Sequence, residues 1–174
     1  MSNKNVKIVC YLAIVVFCIL QLLQIKTLQA VSIAVTVATL IDFFYDRYLW
    51  KFCPFEKTPK IYGVYEEESE STYNGGHKYS AKVTIKQTLS SVHILEEVEG
   101  SGYSESITAA LVKNPSDSVW KLYYTYVTRP EKPKEDDMHE GTVVLYIESP
   151  NTLRGNYFTN RIYPTRGSTI LRKK

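Results

Sequence analysis

Leu153-Arg154-Gly155-Asn156-Tyr157-Phe158-Thr159-Asn160-Arg161 alternates: the odd positions hold Leu153, Gly155, Tyr157, Thr159 and Arg161, and the even ones are mostly polar. Successive side chains of a strand point to opposite faces. The stretch therefore reads as one strand of a half-buried antiparallel sheet. If its odd set faces inward, a tyrosine and an arginine stand at the mouth of whatever the sheet encloses.

The pattern repeats outward from there. Ile61–Glu67, Lys78–Leu89, Ser91–Val98, Tyr103–Val112, Val119–Val127, Thr142–Glu148, Leu153–Thr159 and Thr169–Arg172 read as strands, separated by turn signals such as Asn74-Gly75-Gly76, Gly100-Ser101-Gly102 and Asn114-Pro115-Ser116-Asp117. No stretch after the linker keeps a helical period. About eight antiparallel strands with short connections predict an up-and-down barrel, which leaves no edge exposed. A two-sheet sandwich is the alternative. A barrel of this size holds side chains or one small ligand.

The N-terminal third obeys a different rule. Its apolar runs Ile8–Ile25 and Leu28–Tyr48 precede the first glycine, Gly63. A span of the hydrocarbon core takes about 20 residues. The short connection Gln24–Thr27 forces an antiparallel hairpin, and the lack of a small-x-small site argues against a cleaved signal peptide. Lys4, Lys7, Arg47, Lys51, Lys57 and Lys60 flank the outer ends, whereas the turn carries only Lys26. The positive-inside rule then places both termini in the cytoplasm, with Tyr45, Tyr48 and Trp50 as an interfacial aromatic belt. Ala30, Ala34, Ala38 and Asp42 recur every four residues. Small residues at that spacing let helices associate closely, and an acid on the stripe is costly unless it faces protein, water or the headgroups. The expected organisation is a transmembrane hairpin at 1–50, a proline-marked linker at 51–60 and a β-barrel at 61–174.

Residues 1–57 hold six basic and three acidic side chains, whereas the remainder holds 15 of each. A neutral soluble part excludes general DNA or RNA binding, although the stretch from Pro150 to Lys174 is basic throughout. Cys10, Cys18 and Cys53 all precede the barrel, so it has neither a disulfide framework nor a cysteine zinc site. There is no phosphate-binding glycine loop, metalloprotease helix or nucleophile elbow. His77, His93 and His139 are scattered without ligand spacing. The sequence predicts no enzyme, no metal and no cofactor. The acidic runs Glu66–Glu68, Glu96-Glu97-Glu99 and Glu135–Asp137 read as solvated faces.

Parity sorts the strands further. Val83 and Ile85 carry Gln87 inward with them and leave Lys82 and Lys86 in water. Ser104, Ser106, Thr108 and Ala110 form one small, hydroxylic face. Facing inward, it leaves volume and hydrogen-bonding capacity for a ligand; the alternative is that it faces solvent. The strand Val119–Val127 carries Trp120, Tyr123, Tyr124 and Tyr126 on two faces that cannot both be core, so some of these rings are exposed or stack on a ligand.

The β unit opens with Ile61-Tyr62-Gly63-Val64-Tyr65 and closes with Leu153-x-Gly155-x-Tyr157-x-Thr159-x-Arg161 and Thr165-Arg166-Gly167-x-Thr169-Ile170-Leu171-Arg172. With the hairpin and proline linker, this order resembles the SMODS-associating two-transmembrane, β-strand-rich effectors of bacterial CBASS anti-phage operons, over essentially the whole chain. The resemblance implies that an infection-activated nucleotidyltransferase makes a cyclic dinucleotide and that the barrel binds it. The protein would then self-associate, and its helices would disrupt the inner membrane of the infected cell. The expected partners are a cyclic dinucleotide, the bilayer and further copies of the chain. Such a ligand needs a guanidinium or amides for its phosphates and rings for its bases. Arg161 is the expected phosphate ligand, with Tyr157 and Thr159 beside it. Tyr65, Gln87, Ser104, Ser106 and Thr125 are the candidates for base and ribose contacts. A membrane-anchored lipocalin-like carrier and a constitutive membrane scaffold are the competing functions.

Overall fold

The computed structural model describes residues 3–72, 75–100, 102–116, 118–131 and 138–174, in two units: Met1–Thr58 with Thr88–Ser90, and Pro59–Gln87 with Ser91–Lys174. The acidic run Glu135–Asp137 and the turn residues Asn74, Ser101 and Asp117 lie outside the described residues.

In the first unit, α1 (Asn3–Leu22) and α2 (Thr27–Arg47) pack on one another, and a 3-10 turn follows at Leu49–Phe52. Gln24 ends α1 in a left-handed conformation (φ 59°), where its N–H donates to the Gln21 carbonyl at 2.9 Å and the Ile25 N–H to that of Leu20 at 3.2 Å. This closure satisfies terminal carbonyls and reverses the chain at once. Ala30, Ala34 and Ala38 are buried, so the small-residue stripe is already used inside the hairpin, while Asp42 is half-buried. Ile14, Val15, Ile19, Val35 and Ile41 remain exposed. The hydroxyls of Ser32, Thr36 and Thr39 donate back to the carbonyls of Leu28, Ser32 and Val35 at 3.1, 2.9 and 2.9 Å, which pairs polar atoms internally on an apolar helix. Among the described residues α2 is long and apolar enough to cross a bilayer; the apolar part of α1, Val9–Leu22, is shorter. Trp50 is fully buried.

The second unit is a closed barrel of β1 (Gly63–Ser71), β2 (His77–Gln87), β3 (Val92–Val98), β4 (Gly102–Lys113), β5 (Trp120–Pro130), β6 (His139–Ser149), β7 (Thr152–Thr159) and β8 (Arg166–Lys173). Each strand pairs antiparallel with its sequence neighbour, and β8 closes on β1. The sandwich alternative is thereby set aside. Leu153, Gly155, Tyr157 and Thr159 are the buried positions of β7, as its alternation predicts.

One end of the barrel is solid. Ile61, Tyr65, Val83, Ile85, Leu122, Leu145, Leu153 and Leu171 fill it. The incoming segment is tied into this plug. The Gln87 side chain accepts the Ile61 N–H and donates to the Pro59 carbonyl, both at 2.9 Å. The Tyr65 hydroxyl lies 2.8 Å from the carbonyls of Ile61 and Pro150, and burial pushes its pKa up to about 12. Gln87→Ala strands a buried N–H and a carbonyl, at a cost of about 2 kcal/mol. The expected result is a lower melting temperature with unchanged ligand selectivity, read by circular dichroism and calorimetry.

β4 breaks its own alternation. The register against β5 shifts between Ser106 and Thr108, so the intervening Ile107 bulges outward. A bulge inverts the faces that follow it. Ser104 is inside, but Ala109 and Leu111 pack on the core beyond the bulge, leaving Thr108 and Ala110 exposed. The continuous hydroxylic inner face expected from Ser104 to Ala110 does not form.

Candidate functional site

The other end of the barrel is hollow. A cavity of about 670 Å³ opens among the ends of β1–β7 and the loop after β7, a volume in the range of small-molecule sites. Tyr79, Tyr126 and Tyr157 supply aromatic wall, and Ser104, Thr128 and His139 a polar one. The hydroxyls of Ser104 and Thr128 are 3.1 Å apart, and Thr128 Oγ1 lies 3.3 Å from His139 Nε2. The Tyr126 ring meets His139 edge-on, with centroids 6.3 Å apart.

Arg161 lines this cavity from the loop just beyond β7. The loop is closed at its base, where the Thr159 N–H donates to the Thr165 carbonyl (2.9 Å) and the Thr165 N–H to Thr159 Oγ1 (3.1 Å). Next to it, the Asn160 N–H donates to the Glu140 carbonyl (2.9 Å) and the Glu140 N–H to Asn160 Oδ1 (2.8 Å). These bonds fix the base of the loop within the fold itself, and a loop held in this way costs less entropy to engage a ligand. Burial holds the Tyr79 and Tyr126 hydroxyls protonated well beyond the ordinary phenol range, while the charge of Arg161 opposes the shift at Tyr126. These rings offer neutral hydrogen-bonding and stacking surfaces to the cavity.

Two acids expected in solvent are inside. Glu67 is 4% exposed. Its Oε1 accepts the Ser69 and Thr169 hydroxyls, whereas Oε2 is buried without a partner among the described residues. Burial raises its pKa, and the two hydroxyls oppose the rise only in part. Glu96 stands in the cavity wall, where burial and then the charge of Glu67 raise its carboxyl well above the usual range. Both acids hold protons longer folded than unfolded, so the native state binds more protons and stability falls as pH rises from about 4.5 through the raised values. The full-length protein should therefore melt lower at pH 8 than at pH 5. Glu67→Gln should flatten that slope and raise the melting temperature at pH 8 by a few degrees; an unaltered pH profile in the variant would refute the assignment.

Of the candidate ligand residues, Arg161, Tyr157, Thr159 and Ser104 come together around the cavity. Tyr65 and Gln87 do face inward, but in the filled end, bonded to the chain itself. Ser106 accepts the Ile94 N–H at 2.9 Å and so extends the β3–β4 ladder. Thr125 is on the outside, paired with Thr108 at 2.9 Å, because Tyr124 and Tyr126 occupy the interior positions of β5. Sequence reasoning missed Tyr79, Glu96, Thr128 and His139, and left Tyr126 undecided among the rings of β5 that are exposed or stack on a ligand. Parity could have found two of them: Glu96 shares a face with Ile94, and Tyr79 with Ala81 and Val83.

Residues 56–173, the whole barrel, match the family described as Cap15, cyclic dinucleotide receptor domain. The chain belongs to the Cap15 family. It is 32% identical to a CD-NTase-associated protein 15 of Staphylococcus schleiferi over 98% of this chain and 96% of that protein. It is 26% identical to a CD-NTase-associated protein 15 of Escherichia albertii over 91% of this chain and 86% of that one. The relatives' coverage includes the helices as well as the barrel, so the Cap15 match upholds the CBASS-effector resemblance drawn from the hairpin and the barrel's end motifs.

Proposed function

We propose that this Cap15-family protein is a non-enzymatic CBASS effector whose barrel receives a cyclic dinucleotide in the open-end cavity. The observation that carries the reading is Arg161, held on a clamped loop over a cavity walled by tyrosines in a barrel matched throughout by a cyclic dinucleotide receptor family. The guanidinium suits a phosphate, and the Tyr126 and Tyr157 rings suit bases. The relatives' names, which tie them to a CD-NTase, support the same class of ligand. A charged, hydroxyl-lined chamber is poor for the apolar cargo of a lipocalin-like carrier.

In this reading the hairpin sits in the bacterial inner membrane with both termini cytoplasmic. Ligand binding drives self-association, and the assembled helices disrupt the bilayer. The apolar outer face of the helices and the internally bonded hydroxyls of Ser32, Thr36 and Thr39 favour a lipid setting. A ligand shifts an assembly equilibrium only through higher affinity for the assembled form. The full-length protein in detergent should therefore grow in size on adding cyclic dinucleotide and, in vesicles, release a trapped dye only in its presence. Equal size and equal leakage with and without ligand would instead indicate a constitutive scaffold.

A further inference from the structure

We propose that Glu96 is a base-reading residue of the cavity, its carboxyl pairing with the hydrogen-bonding edge of one nucleobase of the bound cyclic dinucleotide. The inference rests on the receptor reading of the same cavity. Three observations carry it.

Glu96 occupies an inward position of β3, level with Val83 on β2 and Ser104 on β4, and its side chain lines the cavity. Its neighbours in sequence face the other way, as the outward Glu97–Lys82 ion pair at 2.9 Å shows. Further, Glu96 is only half-buried, so its carboxyl is open to the cavity rather than closed off behind the wall as Glu67 is. Finally, a cyclic dinucleotide brings two phosphates, for which the Arg161 guanidinium, also on the cavity wall, is a better partner than a carboxyl, which leaves base or sugar to Glu96.

The protonation state decides what the acid reads. A neutral carboxyl offers one donor beside one acceptor, which fits base edges that set an acceptor beside an N–H. An ionised carboxylate offers acceptors only and suits the paired N–H donors of guanine alone. Burial and the charge of Glu67 favour the neutral form at Glu96. Glutamine has the same shape and the same donor–acceptor pair, so it should replace this residue, whereas alanine should not.

The test is calorimetric titration of the full-length protein in detergent with cyclic di-AMP, cyclic GMP–AMP and cyclic di-GMP, followed by repetition of the tightest case with Glu96→Gln and Glu96→Ala. The expected result is affinity within about threefold of wild type for the glutamine variant and a loss of about tenfold or more for the alanine variant, with both variants melting no lower than wild type. Equal loss in both variants would show that the charged form does the reading and would overturn the proposal. Unchanged binding by the alanine variant would remove Glu96 from the site. If wild type binds none of the three probes, the receptor reading itself fails, a result distinct from either of these.

Discussion

Arg161→Ala should lower the affinity of the full-length protein for its cyclic dinucleotide by about two orders of magnitude and leave the melting temperature of the barrel within about 2 °C of wild type. The size of the loss follows from the ligand. A phosphate taken into a partly desolvated cavity needs a fixed counter-charge, and truncating one partner of such a pair exposes the full desolvation penalty of the other. The selectivity of the loss follows from the loop. Thr159, Thr165 and Asn160 hold the segment through backbone and short side-chain bonds that do not involve the guanidinium. The alanine variant should therefore fold, and its binding should fail while its structure persists. Arg161→Lys should recover part of the affinity as a point charge without the planar fork. Retained binding in the alanine variant would place the phosphates elsewhere in the cavity.

The second large effect is on stability. Gly155→Val should destabilise the barrel by on the order of 3 kcal/mol and lower its melting temperature by roughly 10–20 °C, followed through the β-sheet dichroism signal. Gly155 is an inward position of β7 opposite Leu145 of β6. A Cβ built there would come 1.8 Å from the Val144 carbonyl oxygen and 2.9 Å from Leu145 Cα. Those atoms are backbone and cannot rotate away, so β6 and β7 would have to part and lose ladder hydrogen bonds. β7 also leads directly into the Arg161 loop, so ligand binding should weaken in parallel. A variant that melts with wild type would mean that the two strands separate at little cost.

The strand count, the antiparallel order of neighbouring strands, the hairpin, and the inward set Leu153, Gly155, Tyr157 and Thr159 are legible in the residues alone. All of these follow from local period and short connections, which act within one strand or between neighbours. The sequence also carried the family through the barrel's end motifs. Other properties arise from contacts between distant strands. Gln87 faces inward as its alternation with Val83 and Ile85 predicts, and Tyr65 does too, yet which end of a barrel is solid depends on side chains from all its strands meeting across the lumen. Thr125 lies outside because alternation has no absolute phase, and Thr108 and Ala110 face solvent because a single bulging residue, Ile107, inverts the faces beyond it. Glu67 and Glu96 looked like solvated acids because charge in a sequence favours water. Only the neighbours supplied by β1, β2, β5 and β8 enclose them, and enclosure shifts the balance toward the protonated form.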